Sequence, residues 1–177
     1  MRMDDDAALD LENRRRIFQF VSGFQGAHLR EVQRAVGLEI GVLDYHLDYL
    51  VKNGLLTSRK EMGRKRYFTK ALSPGDKALL AVLRQGVLRR LLMHILLNPG
   101  CTFRELHALS GTSKSTLSFH LKRLRGTGLV VRIDEGGRKG ERYSAVKGED
   151  IAKLLITYKS TFLDDAVDRF VEVWQQL

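Results

Sequence analysis

The chain is written twice. Slid along itself by 74 positions, Ile17–Lys65 lies on Leu91–Lys139 without a gap, and 14 of the 49 positions are identical. The identities are Gly26/Gly100, Arg30/Arg104, Glu31/Glu105, Gly37/Gly111, Leu43/Leu117, His46/His120 and Leu47/Leu121. They continue with Leu50/Leu124, Gly54/Gly128, Leu55/Leu129, Glu61/Glu135, Gly63/Gly137, Arg64/Arg138 and Lys65/Lys139. Most of the remaining apolar positions stay apolar. Glycines that keep register across two segments mark turns of one backbone plan used twice. A chain of 177 residues has room for two such small domains.

Each copy reads the same way. Apolar residues at helical spacing place a first helix over Asn13–Ser22 and Leu88–Leu97. A turn at Gly26 or Pro99-Gly100 leads to a short second helix beginning near Leu29 or Phe103. Thr102 and Glu105 have the spacing of a capping box, whereas His28 at the matching place predicts a weaker helix start in the first copy. Gly37 and Gly111 end the second helix, and a third runs from Glu39 to Asn53 and from Ser113 to Thr127. A strand follows, then a tight loop at Gly63 or Gly136-Gly137, then a returning strand through Tyr67-Phe68 or Tyr143. This order predicts a mainly α fold with small β-hairpin wings, two tandem winged helix-turn-helix domains. The expected boundaries are 1–72 and 73–147, with a helical segment at 148–177.

The stretches "VLDYHLDYLVKNGLL" and "TLSFHLKRLRGTGLV" resemble the recognition-helix segment of bacterial and archaeal winged-helix regulators of the ArsR and MarR kind. The two-copy layout with "YHL" and "FHL" resembles archaeal tandem winged-helix regulators more specifically. The resemblance covers residues 13–70 and 88–147, and it implies DNA binding.

Charge agrees with that implication. Lys and Arg number 30 against 21 Asp and Glu, a net +9, as expected of a protein that meets phosphate. An anionic membrane is the other phosphate surface, but Arg84, Arg89 and Arg90 interrupt the most apolar region, Leu79–Leu97. The first residues, with Asp4, Asp5 and Asp6, have no apolar signal core, so a cytoplasmic, nucleoid-associated protein is expected. The single cysteine, Cys101, excludes an internal disulfide and a multi-cysteine zinc site. His46 and His120 stand apart from other ligands except Cys101 and His107, so packing or a phosphate hydrogen bond is expected of them. No phosphate-binding glycine loop or nucleophile–base motif is present, and neither an enzyme nor a cofactor is expected.

On a wheel of about 100° per residue, Leu117, Leu121 and Leu124 of the second copy face inward. Ser115, Phe119 and Lys122 point almost opposite, flanked by Thr116, Ser118 and Arg123, with Lys114 at the start. Such groups reach base edges and phosphates from a major-groove helix. Phe119 lies outside the apolar stripe, so it either stacks on a ligand or partner or tucks against the wing. The third helix carries +4 in the second copy but −2 in the first, where Glu39, Asp44 and Asp48 face Lys52 alone. The first copy is therefore expected to lay its basic wing, Arg59, Lys60, Arg64, Lys65 and Arg66, on the backbone, and Tyr45 is a further expected DNA contact. The second wing adds Arg138, Lys139 and Arg142.

Ser73, Pro74 and Asp76 start a helix expected to run, kinked at Gly86, into the second domain and to limit the domains' relative orientations. The tail carries Ile151, Leu155, Tyr158, Phe162, Ala166, Phe170 and Trp174 at three- and four-residue steps, one or two amphipathic helices. It covers its own domain or pairs two subunits. The expectation is a homodimer through Tyr158, Phe162, Phe170 and Trp174. Double-stranded DNA is the expected partner, and no residue pattern names a small-molecule effector. Three functions stay open: a sequence-specific transcription regulator as the leading one, a nucleoid-type protein with little sequence preference, and a tandem winged-helix interaction scaffold.

Overall fold

The computed structural model describes residues 3–61, 63–133 and 141–176, without the side chains of 3–10. It divides into two compact units, Met1–Ala81 and Val82–Leu177. Gly136-Gly137, Arg138 and Lys139, expected in the second wing, lie outside the described residues.

In unit 1 the order is α1 (Met3–Gly23), β1 (Ala27–His28), α2 (Leu29–Val36), α3 (Ile40–Lys52), β2 (Leu56–Glu61) and β3 (Arg64–Thr69), and α4 (Pro74–Leu83) reaches the boundary. The strands form an antiparallel sheet in the order β1-β3-β2. Ile17 and Val21 of α1, Val32 and Val36 of α2, and Leu43, Leu47 and Leu50 of α3 close on Leu56 and Tyr67. That core is the sum of the helical stripes read from the sequence. The third helix keeps its predicted span to within a residue at each end.

Unit 2 repeats the plan with α5 (Gly86–Leu97), β4 (Cys101–Thr102), α6 (Phe103–Ser110), α7 (Lys114–Gly126), β5 (Val130–Ile133) and β6 (Arg142–Ala145). It continues with α8 (Gly148–Thr157), a 3-10 turn at Lys159–Thr161 and α9 (Asp165–Trp174). Gly37 and Gly111 end α2 and α6 with φ of 69° and 60°, the left-handed region a side chain disfavours. The first wing strands superpose at the offset of 74, Leu56 matching Val130. The returning strands match at 76, Tyr67 with Tyr143, so two more residues lie between the paired strands of the second wing and the offset of 74 does not carry into its returning strand.

Two expectations about the helices are corrected. The helix from Pro74 does not run on through a kink. It stops, and Gln85 is extended with ψ of 107° before α5 begins. Leu83 O, at the end of α4, accepts from the buried Arg89 Nη1 at 2.7 Å, which satisfies a carbonyl the break would leave open. The start of α2 is not weakly capped either. His28 Nδ1 accepts from Glu31 N at 3.3 Å, and Glu31 Oε2 accepts from His28 N at 2.8 Å. An imidazole thus performs the role Thr102 has before α6, where Glu105 N donates to Thr102 Oγ1 at 3.3 Å and Thr102 N to Glu105 Oε2 at 2.6 Å.

This cap makes unit 1 sensitive to acid. Burial lowers the His28 pKa below its ordinary 6.5; Glu31 opposes the shift, and Arg64 and Arg66 add to it. A histidine that stays neutral longer in the folded state contributes stability that is whole above its unfolded pKa and is lost as pH falls toward the folded one. Thermal melts at about pH 7.5 and 5.5 should show unit 1 weakening in acid. His28→Ser, a cap that does not titrate, should remove most of that difference. An undiminished pH effect in His28→Ser would assign it elsewhere.

The tail is two helices, and it covers its own unit. α9 packs on α5 and α8. Phe162 is 8% exposed and Phe170 2%. Arg84 and Arg89 each lie 5.0 Å from the Phe162 ring centre, and Trp174, half-buried, stacks on Phe170 at 5.7 Å. At Gly148 an added Cβ would come within 2.9 Å of Leu96 Cδ1, so the start of α8 lies against a side chain of α5. Phe162 and Phe170 are therefore corrected as dimerisation residues, because the surface assigned to a second subunit is spent inside one. Tyr158 and Trp174 are half-buried.

Candidate nucleic-acid interface

The arrangement begins with a helix N-terminus. Ser113 caps α7, accepting from Thr116 N at 3.2 Å, and its hydroxyl lies 2.9 Å from those of Ser115 and Thr116. Leu117, Leu121 and Leu124 are buried and fix the rotation of the helix. Lys114, Ser115, Thr116, Ser118, Phe119 and Lys122 then face solvent, and Arg123 is half-buried. Phe119 does not tuck against the wing: it is 58% exposed, edge-on to His120 at 5.6 Å, with the Arg123 guanidinium 6.0 Å from its ring. Burial and the nearby Arg123 charge lower the His120 pKa, which keeps that ring neutral near pH 7.

Beside this face a cleft of ≈ 920 Å³ opens between α7 and the wing, its lining including Lys122, Arg125, Arg132 and Tyr143. In the sequence Arg125 and Arg132 count as charge, not as site residues; only their fold neighbours place them here. Arg132 donates to Glu141 at 2.5 Å and the Tyr143 hydroxyl donates to the same carboxylate at 2.6 Å. The Tyr143 bond and then Arg132 hold the Glu141 carboxyl below its ordinary pKa. The root of the second wing is thus less cationic than its arginines suggest.

In unit 1, Tyr45 occupies the position of Phe119 and is 59% exposed. Arg59, Lys60, Arg64 and Lys65 are exposed along the wing, Arg59 with Glu61 at 3.2 Å and Lys65 with Asp48 at 3.3 Å. Arg66 is not among them. It is 3% exposed, and its Nη1 donates to Gly26 O at 2.6 Å. Arg142 is its structural twin, half-buried and donating to Gly100 O at 2.9 Å. Both are corrected from DNA contacts to staples that fasten the returning strand to the turn before the second helix. The staple also explains β1 and β4, two-residue strands unseen in the sequence: Gly26 N donates to Tyr67 O and Gly100 N to Tyr143 O, each at 2.9 Å. The available signal was the Arg-Tyr pair repeated as Arg66-Tyr67 and Arg142-Tyr143.

His46 is buried in the core of unit 1 and His120 is half-buried. Among the described residues no three His, Cys, Asp or Glu side chains converge as a metal site, and no helix is long and apolar enough to cross a membrane. Burial pushes the Cys101 thiol up to about 11, an unreactive state at neutral pH.

Residues 11–80 match a family model described as an N-terminal HTH domain, and residues 89–140 match the MarR family. These matches fall one on each unit. The chain is a tandem winged helix-turn-helix protein. An uncharacterized HTH-type transcriptional regulator of Methanocaldococcus jannaschii is 26% identical over 136 residues, 77% of this chain. The matched part spans 34% of that regulator's own length. Human N-acetylserotonin methyltransferase in complex with SAM aligns over 73% of this chain and 44% of its own, at 15% identity and a TM-score of 0.26, too low to bear on fold or function. Within this tandem winged helix-turn-helix chain, α3 and α7 are the third helices, and β2–β3 and β5–β6 the wings.

Proposed function

We propose that this protein is a transcription regulator that binds double-stranded DNA, reading bases with α7 and holding the backbone with its wings. The observation that carries the reading is the outward face of α7, where capped hydroxyls, two lysines and an aromatic ring stand in solvent on a helix fixed by three buried leucines. Hydroxyls and cations on such a helix meet base edges and phosphates, while Lys60, Arg64 and Lys65 neutralise backbone charge. The role is non-enzymatic, cytoplasmic and nucleoid-associated. Sequence-specific regulation is favoured over general DNA coating because the α7 face mixes short polar groups and a ring with its charge. A second copy enters the proposal through a surface other than Phe162 and Phe170.

The test is titration of the full chain against a random duplex over a range of salt. Binding at low salt should weaken with a slope in log K of about −0.9 per neutralised phosphate. Absence of binding at low salt, or binding indifferent to salt, would reject the reading. Comparing a selected site with the random duplex then separates a regulator from a general coating protein.

A further inference from the structure

The outward faces of the two third helices have diverged while their frame has not. The offset of 74 sets Val42 against Thr116, Asp44 against Ser118, Tyr45 against Phe119, Asp48 against Lys122 and Tyr49 against Arg123. Between them Leu43, Leu47 and Leu50 are buried, as are Leu117, Leu121 and Leu124. So α3 keeps the core side of a reading helix and exchanges the reading groups for carboxylates and an apolar stripe. Val42, Tyr45 and Tyr49, 45%, 59% and 38% exposed, follow one another at three- and four-residue steps and share one side of the helix. Asp44 and Asp48 flank the stripe. Lys65 offsets part of the Asp48 charge. Carboxylates in this position repel phosphate, so DNA does not suit the face.

A helix face of opposite charge with its own exposed ring does suit it, and the chain carries one. We infer that α3 of one copy docks on the α7 face of a second copy, so that self-association and DNA compete for α7. The inference rests on the reading of α7 as the DNA-binding face. Tyr45 and Val42 meet Phe119, and Asp44 and Asp48 oppose Lys122 and Arg123. The Tyr49 ring already carries the Arg14 guanidinium at 3.8 Å, the kind of contact a second arginine makes with it. Charge sets the choice of partner face: α7 repels α7 and α3 repels α3, which leaves the mixed pair. Each copy has one face of each kind. DNA-free protein therefore stores its reading helix under another copy, and DNA releases it by mass action.

Sedimentation velocity of the full chain, at low salt and without DNA, provides the test. The wild type should associate with rising concentration. Asp44→Lys/Asp48→Lys and, separately, Lys122→Asp/Arg123→Asp should each weaken association by about tenfold or more. An equimolar mixture of the two variants should associate again, because the reversed α3 of one now matches the reversed α7 of the other. Thermal melts unchanged from wild type would show that the substitutions, at exposed Asp44 and Lys122 and half-buried Asp48 and Arg123, leave the fold intact. A monomeric wild type, association indifferent to the reversals, or a mixture that fails to recover would each overturn the inference. Adding duplex should dissociate the wild-type assembly; duplex bound to an intact assembly would overturn it. If the mixture recovers but no duplex binds, the docking stands and the DNA reading falls.

Discussion

Asp164→Ala is expected to destabilise unit 2 by about 3–5 kcal/mol. Asp164 accepts from Arg89 through a close ion pair whose partners are 15% and 7% exposed. It also caps α9, its Oδ1 accepting from Ala166 N at 3.1 Å. Removing the carboxylate leaves the Arg89 charge inside the unit, held by its hydrogen bond to the Leu83 carbonyl. An uncompensated buried charge costs more than the pair itself contributes. Asp164→Asn keeps a cap and should recover about 1 kcal/mol of the loss. Burial would raise the Asp164 pKa, but the Arg89 bond, the Ala166 amide and the nearby cations hold it below the ordinary 3.8. A depressed carboxylate contributes stability above its unfolded pKa and loses it as pH falls through the folded value. Unit 2 should therefore weaken in strong acid, below the range in which His28 acts on unit 1. Denaturant unfolding of wild type and variants measures the effect, and a change under about 1 kcal/mol would show the pair to behave as a surface contact.

Alanine at Ser115, Phe119 and Arg123 together should lower the preference for a cognate site over random duplex, by about 1–3 kcal/mol for each base the helix no longer reads. Alanine at Lys60, Arg64 and Lys65 should instead weaken both duplexes alike and flatten the salt dependence. Arg66 is left out of the wing set because its guanidinium is buried on Gly26 O, and its loss would report on folding. Both sets are read on the same two DNAs. A wing set that changes specificity while the helix set leaves it intact would reverse the roles. Equal effects would mean that both units read sequence, and that the opposed charges of α3 and α7 do not divide the work.

Much of the frame was legible because it depends on local rules. Gly37 and Gly111 end helices by their backbone freedom, Thr102 and Glu105 cap by their spacing, and the leucines of α3 and α7 repeat at helical steps. Two differences concern what lies opposite a residue, the arginine staples and the covered tail. Arg66 and Arg64 are alike in a charge count and share one face of β3, yet only Arg66 lies where β1 pairs with that strand and reaches Gly26, while Arg64 lies past the pairing in solvent. Periodicity gave the tail an apolar side but could not say whether α5 or another subunit covers it. The cap at His28 is not legible from the usual Ser, Thr, Asp and Asn preference, although a neutral imidazole has one acceptor nitrogen. The exposed face of α7 needed only the position of its core side, so the expected outward residues are found there.

The arginine staples bear on how a duplicated chain specialises. In both copies one guanidinium reaches across from the returning strand and closes on the carbonyl of the turn before the second helix. The part of the hairpin beyond that fastening is six residues long in one copy and eight in the other, while the pairing at its foot is the same. Insertions past the fastening leave the foot undisturbed, much as a hinge pin lets the door be exchanged without rehanging the frame. Inheritance can then act on the outer residues of each copy separately: one hairpin lengthens, one helix turns acidic, the other basic. Such exposed changes typically cost less than half a kilocalorie or so apiece. Two copies of one frame can thus drift toward opposite trades without either having to be reinvented.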